Sequence, residues 1–195
     1  DGARLDLPIA IGILAASGQL DDSQLAGYEL IGELALNGEL RPVTGALAVA
    51  RAIKNDNKQP RQLILPLANA QEAAQVDGVS VLPAEHLKTV CQHLQGDTSI
   101  NPAVHRAHYQ VNHYRVDLAD VKGQQQARRA LEIAAAGGHS LLFCGAPGTG
   151  KTLLASRLPT ILPPLSDDEA LEVASIYSVA NADYAYGTRP FRQIH

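Results

Sequence analysis

With 195 residues the chain has room for one large domain or two small ones, and 46% hydrophobic content supports a core built from Ala, Leu, Ile and Val, since aromatic content is 4% and Trp and Met are absent. The net charge of -4 is mild, no apolar run approaches the roughly 20 residues of a membrane span, and no signal peptide is visible. Cys91 and Cys144 have no metal-type spacing, which argues against a disulfide scaffold and points to a reducing cytoplasm.

The first predicted element is a helix over residues 6–17, with Pro8 in its first turn and Gly18 at its end. A hairpin follows: residues 29–36 and 39–43 flank Asn37-Gly38, the dipeptide that best tolerates the positive φ angles of a type I′ turn. Thr44 is placed to cap a second helix from residue 45 to 55, with Leu47 and Ala50 on an apolar side and Arg51 and Lys54 on a polar one. Residues 61–65 read as a strand closed by Pro66, 67–75 as a helix, 79–82 as a strand and 83–94 as a helix. Such a mixture makes an α/β or α+β domain.

Residues 96–114 break the pattern with Gly, Asp, Asn and Pro, as a connector between domains does. His105, His108 and His113 lie in it with no Cys or acidic ligand interleaved, so they read as solvated linker side chains ahead of a zinc site. With Arg106, Arg115, Arg128 and Arg129 they make a basic strip, either a plain solvated face or a nucleic-acid contact. Residues 1–100 hold 7 basic and 12 acidic side chains and residues 101–195 hold 9 and 8, which places any such contact in the second half. A helix over 124–136, ended by Gly137-Gly138, leads to residues 139–144, a short apolar run of buried-strand type.

Gly145, Ala146, Pro147, Gly148, Thr149, Gly150, Lys151 and Thr152 then complete the pattern G-x-x-x-x-G-K-[ST]. Leu154 and Leu158 give the following residues helical spacing, and Pro159 is placed to stop that helix. Strand, loop and helix thus come in the order phosphate binding needs. The three glycines permit backbone angles that turn consecutive N–H groups toward one point, an anion nest at the positive end of a helix. Lys151 is expected to reach the β- and γ-phosphates and the Thr152 hydroxyl to ligate the magnesium ion, so ATP and Mg are the expected cofactors. Ser166 and Glu169 form a capping box for a helix running to residue 179. Hydrolysis needs an apolar run ending in Asp-Glu, and none follows residue 152; Asp167-Asp-Glu169 is a helix start behind Pro163-Pro164, so no catalytic residue is assigned. The missing initial Met and the stop at His195 read as the ends of an internal fragment of a longer protein.

The runs Asp120-Val-Lys-Gly-Gln124 and Ala130-Leu-Glu-Ile-Ala-Ala-Ala-Gly-Gly-His139, the loop at 145–152 and Leu162-Pro-Pro-Leu-Ser166 together resemble the ComM/YifB family of magnesium-chelatase-like AAA+ ATPases. Leu5-Asp-Leu-Pro-Ile-Ala-Ile-Gly-Ile-Leu-Ala-Ala16 resembles the Lon-protease-like domain that precedes the ATPase in that family. The resemblance implies an α/β protein with a Lon-protease-like α+β domain over residues 1–96, a linker over 97–115 and the N-terminal portion of a P-loop AAA+ domain over 116–195. It also implies a cytoplasmic protein, off the membrane, that assembles as a homo-oligomeric, hexameric ring on ATP and acts on DNA as a branch-migration helicase in natural transformation. The rival reading is a chelatase-type subunit whose ATP turnover remodels a protein partner or supports metal insertion; the fused Lon-like domain favours the first.

Lon proteases carry a nucleophilic Ser shortly after an Asp-Gly pair and a Lys in the helix after a hairpin. Aligned on Asp1-Gly2 and on Gly38-Glu-Leu-Arg-Pro42, those positions hold Arg4 and Leu47. A guanidinium and an isobutyl group cannot form a Ser–Lys dyad, and Ser17 with Lys54 has no motif around it, so no protease activity is expected.

Overall fold

The computed structural model describes residues 2–23, 25–56, 61–104, 114–180 and 182–191. They fall into two compact units, one drawn from residues 1–108 and 171–184, the other from 109–170 and 185–195.

In chain order the first unit contains α1 (Asp6–Ala16), β1 (Tyr28–Leu30), β2 (Glu33–Leu34), β3 (Leu40–Arg41), α2 (Ala46–Asn55), β4 (Gln62–Pro66), α3 (Ala70–Ala73), β5 (Val81–Ala84) and α4 (Leu87–Leu94). Strands β1, β4 and β5 form a parallel sheet in the order β1-β4-β5, while β2 and β3 pair antiparallel. The unit is a mixed α/β fold. Leu63, Ile64 and Leu65 are fully buried, the continuous apolar run expected of a central strand covered on both faces. Leu30 lies opposite Ile64 on one side, and Ile64 opposite Leu82 on the other. Ile64, Leu82 and Ala84 pack with Leu7 and Ile11 of α1 and with Val90 and Leu94 of α4. Each such Leu, Ile or Val contributes roughly 1.5–3 kcal/mol by leaving water.

The predicted hairpin forms, but it is shorter and turned differently. Residues 28–30 join the parallel sheet, and only 33–34 and 40–41 pair with each other. The Gly38 N–H donates to the Ala35 carbonyl and the Ala35 N–H to the Glu39 carbonyl, both at 2.9 Å. Asn37 keeps a negative φ while Gly38 takes φ +87°, which is a type I turn with a glycine bulge in place of the type I′ turn. The register decides it: Ala35 bonds Glu39, which leaves a three-residue loop, and the His86 ring braces that loop, bonding the Asn37 carbonyl at 3.0 Å and standing 2.7 Å from where a Gly38 Cβ would be. Because Nδ1 of His86 accepts the Lys88 N–H that caps α4, its Nε2 carries the proton given to Asn37.

Thr44 is not the cap of α2. Gly45 takes that place with φ +82° and no side-chain cap bond. The helix predicted over 67–75 is a 3-10 turn, Leu67–Asn69, followed by the single turn α3. The strand predicted at 79–82 lies two residues later, so Pro83 sits in β5, an edge strand where a missing N–H is tolerated, and α4 starts only after His86.

The second unit holds a 3-10 turn, Leu118–Asp120, then α5 (Gln125–Gly137), α6 (Lys151–Ala155), α7 (Leu158–Ile161) and the start of α8 (Asp167–Val179). Leu118, Val121, Leu131 and Leu154 make its core, with Phe143, Leu158 and Ile161 packed against them. Residues 139–144, predicted as a strand, form neither strand nor helix. A strand needs a partner, and among the described residues of this unit there is none; Leu142 is accordingly 84% exposed. Pro159 does not stop α6 directly. A proline ring collides with the carbonyl four residues back, here Ala155, and that is where α6 ends; Pro159 itself lies in the first turn of α7.

The capping box at α8 is present as predicted: the Glu169 carboxylate accepts the Ser166 N–H at 2.9 Å and the Ser166 hydroxyl accepts the Glu169 N–H at 3.3 Å. The Ser166 backbone bond, then its hydroxyl, hold the Glu169 carboxyl below its ordinary value. The box therefore contributes at every pH above the unfolded-chain value and is lost as pH falls through the lowered folded one. The Ser166 amide proton, held by the Glu169 carboxylate, is expected to keep its chemical shift from neutrality to the normal Glu range and to lose its hydrogen-bonded value only below it; Glu169→Gln should remove that loss.

Among the described residues no helix is long and apolar enough to cross a membrane. His105, Arg106, His108 and His113 lie outside the described residues.

Candidate functional site

The loop at 145–152 owes its path to glycine. Gly148 and Gly150 stand at φ +80° and +84°, in the left-handed region, and Gly150 is the N-cap of α6. Lys151 begins the helix and folds its side chain back, Nζ donating to the carbonyls of Gly145 at 2.9 Å and Ala146 at 2.7 Å and to the Thr149 hydroxyl at 3.4 Å. The Thr149 hydroxyl donates onward to the Ala146 carbonyl at 2.9 Å. The N–H groups of Gly148, Thr149, Gly150, Lys151 and Thr152 make no hydrogen bond to any described residue. Consecutive unpaired donors beside an ammonium are what a phosphate group, with acceptor oxygens only, requires.

Thr152 is exposed on the first turn of α6, next to Lys151. No cluster of three or more His, Cys, Asp or Glu occurs among the described residues. The eight predicted loop residues run from Gly145 into the first turn of α6, and a side chain from outside them, that of Gln124, reaches the loop. Its side-chain Nε2 donates to the Thr149 carbonyl at 3.1 Å, a contact 25 residues apart in sequence that no local pattern reveals.

At the two positions compared with a protease dyad, Arg4 is exposed and Leu47 is 1% exposed in the core. The Ser17 hydroxyl is engaged with the Leu14 carbonyl at 3.1 Å. No labelling of the chain by serine-directed phosphonates is expected, and an adduct on Ser17 found by mass spectrometry would contradict this.

Of the basic strip, Arg129 pairs with Glu132 at 3.1 Å and Arg128 donates to the Val121 carbonyl at 3.4 Å, so both are engaged within their own unit. Burial pushes the half-buried Cys91 thiol up, whereas Cys144, next to the loop, is exposed. A thiol reagent at neutral pH should modify Cys144 first, with Cys91 following only as the first unit opens; peptide mapping that found Cys91 modified first would refute this ordering.

Comparison with known proteins gives the chain's family. Residues 117–195 match the family described as magnesium chelatase, subunit ChlI, and residues 1–69 match the one described as subunit ChlI of Mg-chelatase. These matches define the chain as magnesium-chelatase-like. Over its full length it is 48% identical to the uncharacterized protein YifB of Salmonella typhimurium and to that of Escherichia coli K12, and 46% identical to the competence protein ComM of Haemophilus influenzae. The chain belongs to the ComM/YifB family, and it spans 38% to 39% of the length of these three relatives.

Proposed function

We propose that this chain binds ATP or ADP with Mg²⁺ at residues 145–152, as the nucleotide-holding part of an AAA+ ATPase. The observation that carries the proposal is the run of N–H groups from Gly148 to Thr152 that bond no described residue, beside the Lys151 ammonium. Bound there, the magnesium nucleotide supplies the phosphoanhydride whose cleavage drives such proteins. The loop N–H groups and Lys151 bind its phosphates, and Thr152 provides a hydroxyl for the cation. Membership of the ComM/YifB family supports an AAA+ ATPase-like role.

In this reading residues 1–96 are a Lon-protease-like domain without its dyad, 97–115 a linker and 116–195 the front of the AAA+ domain. The complete protein works as a homo-oligomeric, hexameric ring in the cytoplasm, on DNA, in branch migration during natural transformation. The word competence in the name of one relative supports the DNA role. A second reading, a chelatase-type ATPase acting on a protein partner or in metal insertion, is favoured by the description of both matching families. ATPase turnover of the intact protein with and without branched DNA separates them. The DNA reading expects clear stimulation, and turnover indifferent to DNA favours the second.

A further inference from the structure

We infer that Gln124 is a positioning residue of the phosphate loop, holding the Thr149–Gly150 peptide so that its N–H faces the anion. Gln124 Nε2 donates to the Thr149 carbonyl at 3.1 Å. In a planar trans peptide the carbonyl and the next N–H point in opposite directions. Fixing the Thr149 oxygen on the Gln124 side therefore fixes the Gly150 N–H on the other side of that peptide.

Two further observations point the same way. Gln124 is the one non-glycine residue with positive φ among those described, +49°, at the N-cap of α5, yet its side chain makes no cap bond to its own helix. Position 124 thus holds a residue ill suited to its backbone angle, and the side chain that this retains is directed to the loop. A Cβ on Gly150 would come within 2.9 Å of Gln124 Nε2, so the amide lies flush against the loop, and the glycine leaves room for it. The side chain ties the start of α5 to the start of α6.

The functional consequence rests on the nucleotide reading, whereas the brace itself does not, and the test keeps the two apart. Gln124→Gly removes the donor and relieves the backbone angle; Gln124→Glu keeps the size but sets an acceptor against the Thr149 carbonyl. In ¹⁵N relaxation measurements without nucleotide, both variants should lower the order parameters of Gly150 and Lys151 from a rigid value of about 0.85 toward the flexible range below about 0.6. The melting temperature of Gln124→Gly should not fall. Order parameters at 150 and 151 equal to those of the unsubstituted chain in both variants would overturn the brace. Titration with Mg-ADP then reads the consequence: affinity should drop roughly three- to tenfold in both, the worth of one hydrogen bond. A loosened loop in variants of a chain that binds no Mg-ADP would uphold the brace and refute the nucleotide reading alone.

Discussion

Lys151→Ala is expected to weaken ATP or ADP binding by about 3 kcal/mol, on the order of a hundredfold in Kd, because a hydrogen bond from a charged donor to phosphate is lost. Binding should not vanish, since the N–H groups from Gly148 to Thr152 belong to the backbone and survive the substitution. Stability should change little. The present partners of Nζ, the carbonyls of Gly145 and Ala146, are in exposed residues and can turn to water. Titration calorimetry reads both quantities when combined with a thermal melt. Equal affinity in the variant would remove Lys151 from the site.

Asn69→Ala is expected to destabilise the first unit by about 2 kcal/mol, the cost of leaving two part-buried backbone groups of Val43 without their side-chain partners. Asn69 is 6% exposed and clasps Val43 from both sides: its Nδ2 donates to the Val43 carbonyl at 2.8 Å and its Oδ1 accepts the Val43 N–H at 2.9 Å. These bonds join the segment leaving β3 to the turn before α3, pieces that share no ladder. Asn69→Asp keeps the acceptor but faces the Val43 carbonyl and the nearby Glu72 carboxylate with negative charge, so it should not rescue the loss. Urea unfolding followed by a probe in the first unit gives the difference. A change below about 0.5 kcal/mol, the usual range of a surface substitution, would show that Val43 finds other partners.

What was legible in the sequence divides by the range of the interactions that decide it. Helix α1 was readable because Pro8 and Gly18 mark its ends, and the α8 start because Ser166 and Glu169 are three apart. The backbone of the loop at 145–152 was readable for the same reason: its conformation depends on glycines within eight residues. The turn at residues 35–38 was not, because it depends on which residues pair across the hairpin, Ala35 with Glu39, and a turn dipeptide alone does not fix that register. Thr44 had the right chemistry for a cap, but Gly45 next to it could adopt the left-handed angle and took the position. Residues 139–144 have a strand's composition, yet composition supplies no partner. Gln124 looked like the first residue of a helix, and only its contact with Thr149 shows where its side chain is used.

The proposed nucleotide site is tested most directly by titrating Mg-ADP into the ¹⁵N-labelled chain and following each backbone amide. Saturable shifts concentrated at Gly148, Thr149, Gly150, Lys151 and Thr152, and much weakened in Lys151→Ala, are the expected result. Shifts that are absent, or that saturate elsewhere while these five amides stay still, would contradict nucleotide binding by the loop.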